Sequence, residues 1–448
     1  MATSLEAISP VDGRYSKTTA AFIPYFSEYA LFRYRLIIEI EYLIELSHPG
    51  FPCEGLFTVT DVEKLRDLYK SFSTADALKI KEIEQSTNHD IKALEYFIKE
   101  KLDEMGLSSS REWVHFGLTS QDINNTSIPL LLKEASEQVL FPAIQELINK
   151  LRSLATEWKS VSMLARTHGQ PASPTSLGKE IYVFVERLES EFSKLQQTVW
   201  AAKFGGATGN FNAHHVAFPK LDWVKFANGF MQRVGLTRSQ TTTQIEHYDQ
   251  LASYCHNLIR IHSILIDLCR DMWTYISMEY FRQKVKAGET GSSAMPHKVN
   301  PIDFENGEGN FSYSNAILGF LAEKLPVSRL QRDLTDSTVL RNIGMPVSHS
   351  LIAIQSLQRG LSKLLLNQEA IENDLNKHAA VVAEAIQTIL RREAYPNPYE
   401  ALKELTRGKS EVTLEDINTF ISGLDVSMEV KQELLSITPS NYTGIISY

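Results

Sequence analysis

The chain reads as an all-α protein organised around long helices, and three observations point there. Apolar residues recur at helical spacing over 20–46, with Phe22, Phe26, Tyr29, Leu36, Ile40 and Leu43 forming one stripe. A proline-free, apolar-periodic stretch from about 247 to 285 is longer than most globular helices and reads as part of a rod-like bundle. No segment shows convincing two-residue alternation, so sheet content should be minor.

Taken in order, Ser9-Pro-Val-Asp-Gly-Arg-Tyr15 is a turn-rich lead-in, with Pro10 and Asp12-Gly13 as breakers. The helix over 20–46 stops at Gly50-Phe51-Pro52, another starts near Thr60-Asp61, and a third covers much of 74–102. Ser86-Thr-Asn-His-Asp90 interrupts that third helix with turn formers and a histidine that suits a helix cap. Gly106-Leu-Ser-Ser-Ser110 marks a boundary, followed by Val114-His-Phe-Gly-Leu-Thr-Ser-Gln-Asp122 and a helical region over 127–159, bent or restarted at Pro129 and Pro142. Ala165-Arg-Thr-His-Gly-Gln-Pro-Ala-Ser-Pro174 is expected as a helix–loop junction, with Ser173 capping a new helix and Pro174 in its first turn. Further helices are expected over 302–324 and 346–366, and shorter ones beyond, separated by Tyr395-Pro-Asn-Pro398 and Gly408. The expected organisation is three domains: 1–111, a central long-helix bundle over 112–366, and a small helical domain over 367–448.

Composition narrows the function. With 43% hydrophobic and 22% charged residues, the chain has the balance of a soluble globular protein. A net charge of −9 argues against a nucleic-acid binder that depends on broad phosphate neutralisation, so an anionic ligand must meet local clusters of positive charge. Three scattered cysteines make neither a disulfide framework nor a metal cage, and Cys255 and Cys269 fall in an apolar helical pattern that suits buried thiols. The glycine-rich run from Gly205 lacks the Gly-Lys-Ser/Thr ending of a P-loop, and the adjacent His214 and His215 are poorly spaced for joint metal binding. No run reaches membrane-spanning length, and Met1-Ala-Thr-Ser-Leu-Glu lacks the pattern of a signal peptide, so a cytoplasmic protein without membrane partners is expected.

The densest chemistry lies in Gly288-Glu-Thr-Gly-Ser-Ser-Ala-Met-Pro-His-Lys-Val-Asn-Pro301. Its glycines free the backbone, Ser292 and Ser293 carry hydroxyls, and His297 and Lys298 add a proton-transfer group and a positive charge. Asn300 and Pro301 read as the cap and first turn of the next helix. Such a loop suits a substrate that carries or develops negative charge.

Gly291-Ser-Ser-Ala-Met-Pro-His-Lys-Val-Asn-Pro301 resembles the signature loop of the fumarase/aspartase superfamily, whose members release fumarate from a succinyl-bearing substrate. His297, where fumarases typically have glycine, and Ile302-Asp-Phe-Glu-Asn306 make the chain similar to the bacterial form of the adenylosuccinate lyase family. The resemblance implies Ser292 as general base, and His168 as general acid with Glu305 as its orienting carboxylate. It leaves Lys298 and Asn300 to stabilise developing charge and to hold the succinyl carboxylates. His89 is the runner-up acid.

The resemblance also places Arg14, Tyr15, Arg332, Ser337 and Arg341 at the nucleotide phosphate. Asn88, His89, Asp90, Thr119, Ser120 and Gln244 fall on the substrate, with His115 close by. It implies adenylosuccinate and succinylaminoimidazole carboxamide ribotide (SAICAR) as substrates, with fumarate released alongside AMP and AICAR. It further implies no metal or organic cofactor, and a homotetramer whose sites draw on several subunits. Argininosuccinate lyase or fumarase chemistry, and a catalytically silent helical scaffold, are the alternatives left open.

Overall fold

The computed structural model describes residues 5–284, 299–407 and 412–448. Helices dominate, as expected, and three short two-stranded ladders accompany them among the described residues. The chain forms two compact units. One holds the residues up to Ile144 with Glu191–Ser263 and Asn310–Ala353; the other holds Gln145–Ser190, Ile264–Gly309 and Ile354–Tyr448.

In the first unit, local capping decides where helices begin. Ser27 accepts from the Ala30 N–H and opens Glu28–Glu45. Reciprocal Thr58/Asp61 and Ser73/Asp76 boxes open Val59–Lys70 and Thr74–Thr87. Leu36, Ile40, Leu43 and Ile44 then pack with Leu65, Ile80, Leu94, Phe97 and Ile98 into one apolar core. The break expected at 86–90 is present: Asn88 takes a left-handed conformation (φ 51°), and His89 caps the helix Asp90–Glu104.

Two expectations about helices need correction. The helix Ser120–Ala135 runs through Pro129 without restarting; the irregularity is a wide turn at Ser136–Leu140, directly before the helix Phe141–Glu157. Pro142 lacks an N–H, so the backbone widens ahead of it, not at Pro129. The helix Ile302–Lys324 has the expected bounds, but the Pro301 carbonyl accepts from the Phe304 and Glu305 N–H groups, which puts the cap at Pro301 and Asn300 one residue earlier.

In the second unit, Ser162–Thr167 and Gln170–Ser176 form an antiparallel hairpin where a capped helix was expected. The helix starts later, at Leu177, and Ser176, not Ser173, accepts from the Lys179 N–H. Ser173-Pro174 imitates a helix start, yet the residue before a proline is biased toward extended backbone, which suits a strand equally well. Ala379, Ile386, Leu390, Ile417 and Ile421 belong to a separate apolar cluster in the C-terminal segment. Cys255 and Cys269 are buried thiols, as the apolar pattern implied, and burial pushes each up to about 12.

Two buried histidines make folding pH-dependent. Burial lowers His214 and His262 from the ordinary 6.5 to about 4. Between those values the unfolded chain takes up protons that the folded chain refuses, so stability is full above pH 6.5 and falls as pH drops toward 4. His214→Phe should flatten that decline in denaturant midpoints measured from pH 7 to 4. An unchanged slope would remove His214 from the account.

Candidate active site

A cleft of about 600 Å³ lies within the first unit. Of the residues singled out in the sequence, Asn88, His89, Asp90, Ser120, Arg332, Ser337 and Arg341 line it together. Most are delivered by helix ends, while Arg332 lies in the segment before the short helix Thr335–Leu340 and Ser337 within it. Asn88 and His89 sit at the junction of Thr74–Thr87 and Asp90–Glu104, Ser120 is the first residue of its helix, and Arg341 follows the short helix Thr335–Leu340. Helix ends expose backbone groups and side chains that helix interiors bury, which explains why polar motifs at breaks converge.

Charge in the cleft is arranged in two groups. Arg332 donates to the Ser337 hydroxyl at 2.7 Å and meets the buried Asp336 carboxylate at 3.3 Å. The Ser337 hydroxyl also accepts from Gln121 at 3.3 Å. Separately, Asp90 Oδ2 lies 2.9 Å from Arg35 and 3.2 Å from Arg341. Burial would lift the Asp90 carboxyl, but Arg35, the Ile91 N–H and Arg341 together outweigh it and hold it below the usual range.

Arg35, Gln121 and Asn124 also line the cleft and were not foreseen. Arg35 did carry a signal: with Glu39 it is one of two opposite charges four residues apart on the buried side of a largely apolar helix. Burying charge is unfavourable without partners, so that placement marks a site or a network.

Beneath Ser120 lies a second polar network. Asp122 and Lys203 are both fully buried, with Lys203 Nζ 2.8 Å from Asp122 Oδ1. The same carboxylate accepts from the backbone N–H groups of Thr119, Gly205 and Gly206. Asp122 thereby ties the start of the Ser120–Ala135 helix to the glycine-rich run. Gly117 packs close by at φ 68°, and a Cβ there would come within 2.8 Å of the His214 ring.

Among the described residues, Arg14, Tyr15, His115, Thr119 and Gln244 stand outside the cleft lining. Gln244 donates to the Ala207 carbonyl, and Arg14 is exposed. His115 Nδ1 lies 2.6 Å from the buried Glu39 carboxylate. Burial opposes the charged form of His115, yet the nearby Glu39 prevails and raises it above its ordinary value.

The second unit holds His168, Asn300 and Glu305. His168 is not at a helix–loop junction; it and Gly169 form the exposed tip of the hairpin, with φ of 53° and 74° between the paired Thr167 and Gln170. Two successive residues with positive φ are the signature of a tight two-residue hairpin turn. Glu305 accepts from the Trp273 indole at 3.1 Å. Ser292 and Lys298, with most of the 286–301 loop, lie outside the described residues. Among the described residues no cluster of histidine, cysteine or carboxylate side chains could hold a metal ion.

The fold matches solved structures over nearly the whole chain. A fumarate lyase from Mesorhizobium sp. BNC1 aligns with a TM-score of 0.74 at 16% identity, covering 96% of this chain and 95% of that one. A 3-carboxy-cis,cis-muconate lactonizing enzyme from Pseudomonas putida aligns at 0.71 and 20% identity, covering 94% and 95%. A lyase family model matches residues 13–313, so with this fold the chain is an enzyme of the lyase class, in the fumarase/aspartase superfamily. A model of the adenylosuccinate lyase C-terminal region matches 328–443. Adenylosuccinate lyases from Dictyostelium discoideum and Escherichia coli strain K12 are 58% and 47% identical, each over 99% of this chain and 97% of theirs. The chain belongs to the adenylosuccinate lyase family.

Proposed function

We propose that the protein eliminates fumarate from adenylosuccinate, leaving AMP, and from SAICAR, leaving AICAR, two reactions of purine biosynthesis. The observation that carries this reading is the cleft itself, where Arg332, Ser337 and Arg341 converge with Asn88, His89 and Ser120. Guanidiniums and a hydroxyl suit a phosphate monoester, and the imidazole and amide suit the rest of a polar nucleotide.

The chemistry needs a base at the carbon beside a carboxylate and an acid at the departing nitrogen. Ser292 takes the proton as alkoxide, and His168 protonates the nitrogen as the C–N bond breaks. Lys298 and Asn300 stabilise the negative charge that develops between those steps, and Glu305 orients the acid. These groups account for every proton moved, so the reading calls on no metal or organic cofactor. Thr119 and Gln244 bind the substrate, with His115 close by, while Arg14 and Tyr15 complete the phosphate end.

The same reading places the protein in the cytoplasm as a homotetramer, its chain divided at 1–111, 112–366 and 367–448. Tyr313 and Phe320, seven residues apart on one helix, are each 52% exposed, which suits a subunit interface. No described helix is long and apolar enough to cross a membrane.

One experiment tests the assignment. Purified protein, sedimenting as four chains, should release fumarate from adenylosuccinate and SAICAR, but not from argininosuccinate or malate. Turnover of argininosuccinate or malate in preference to adenylosuccinate would assign a different lyase.

A further inference from the structure

The cleft contains three arginines, and two of them share one carboxylate oxygen. Asp90 Oδ2 faces Arg35 at 2.9 Å and Arg341 at 3.2 Å, while its Oδ1 accepts from the Ile91 N–H. The two guanidiniums differ in access: the Arg35 side chain is 4% exposed and the Arg341 side chain 52%. Arg35 is also anchored through its Nε, which donates to Asn124 Oδ1 at 2.9 Å. One partner of Asp90 is therefore built into the floor, and the other stands at the mouth.

We infer that Arg35 is a positioning residue for phosphate recognition: it keeps Asp90 neutralised, so that Arg341 can turn to the phosphate of the substrate. The inference rests on the reading that Arg341 meets the phosphate end. Without Arg35, Asp90 has Arg341 as its remaining guanidinium, and an incoming phosphate must break that pair with nothing to replace it. A carboxylate stripped of its last cation in a half-buried cleft is strongly disfavoured. With Arg35 in place, Asp90 retains a partner after Arg341 leaves.

Charge bookkeeping over the triad makes this separable from a packing role. Asp90→Asn adds one positive charge, Arg35→Gln removes one, and the double substitution restores the original balance. Among the described residues lining the cleft, the other titratable groups, Tyr25, Glu28, Glu84, His89 and Arg332, are the same in every variant.

The test uses the full-length enzyme with inorganic phosphate as the probe, bound calorimetrically and as an inhibitor of fumarate release. Asp90→Asn should bind phosphate about tenfold more tightly and Arg35→Gln about tenfold more weakly than the parent. Arg35→Lys, which keeps the charge, should fall between Arg35→Gln and the parent. The double variant should return to the parent's affinity. For adenylosuccinate, Arg35→Gln should raise KM more than it lowers kcat.

A double variant that binds more weakly than either single one would overturn the inference, because damaged packing accumulates where charge cancels. Parent-like affinity in Arg35→Gln would overturn it as well. If Arg35→Gln fails to fold, the order of the Asp90→Asn, Arg35→Lys and parent proteins decides. Arg341→Gln separates the two levels. If it loses phosphate while the series is disordered, the Arg35 role alone falls; if it binds phosphate normally, the assignment of this end of the cleft falls and takes the inference with it.

Discussion

His168→Ala should lower kcat for fumarate release by about a hundred- to ten-thousandfold, the usual worth of a proton-transfer residue. KM should move far less, because the cleft residues proposed to bind the nucleotide lie on other elements, at the start of Asp90–Glu104 and in and around Thr335–Leu340. The residue stands at an exposed hairpin tip, so its loss removes few packing contacts and the thermal midpoint should hold. Steady-state kinetics and a melting curve on the same sample check both halves. Near-normal kcat in a folded variant would strip His168 of its role.

Asp122→Ala should produce the largest loss of stability, about 3–5 kcal/mol, because it leaves the Lys203 ammonium in the interior with the Gly206 carbonyl but without its carboxylate counter-ion. Both side chains are fully buried, so solvent cannot take over the broken partnership. The substitution also deprives the Thr119, Gly205 and Gly206 N–H groups of their acceptor. Adding Lys203→Met should recover only part of the loss, since an apolar pair removes the stranded charge but leaves those donors unmet. Denaturant midpoints of the two variants measure this. A single variant within about 1 kcal/mol of the parent would mean that water or another group enters the site.

The legible parts of this molecule were those written in consecutive residues. Stop and start signals such as Asn88-His89 and Thr119-Ser120 mark helix ends whatever the tertiary context, and those ends became the cleft lining or its support. Partnerships between distant segments were not legible. Lys203 lies in the short run Trp200-Ala-Ala-Lys-Phe204, which carries no motif, and only folding against the Ser120–Ala135 helix reveals it as the counter-ion of Asp122. Arg35 was hidden differently, inside an apolar stripe where attention follows the hydrophobic residues. The hairpin at 162–176 was misread because Ser-Pro serves a helix cap and an extended strand alike.

The junction at His89 has a consequence for proton traffic. Its Nδ1 accepts from the Lys92 amide at 3.1 Å, and an amide can only donate, so that ring nitrogen must be bare. The neutral ring then carries its hydrogen on Nε2 and presents a donor, not a lone pair, on its opposite edge. Charging the ring would put a second hydrogen against the amide and fray the first turn behind it. The tautomer is thus chosen by the backbone, and a residue so committed is suited to offering a hydrogen bond to a nucleotide.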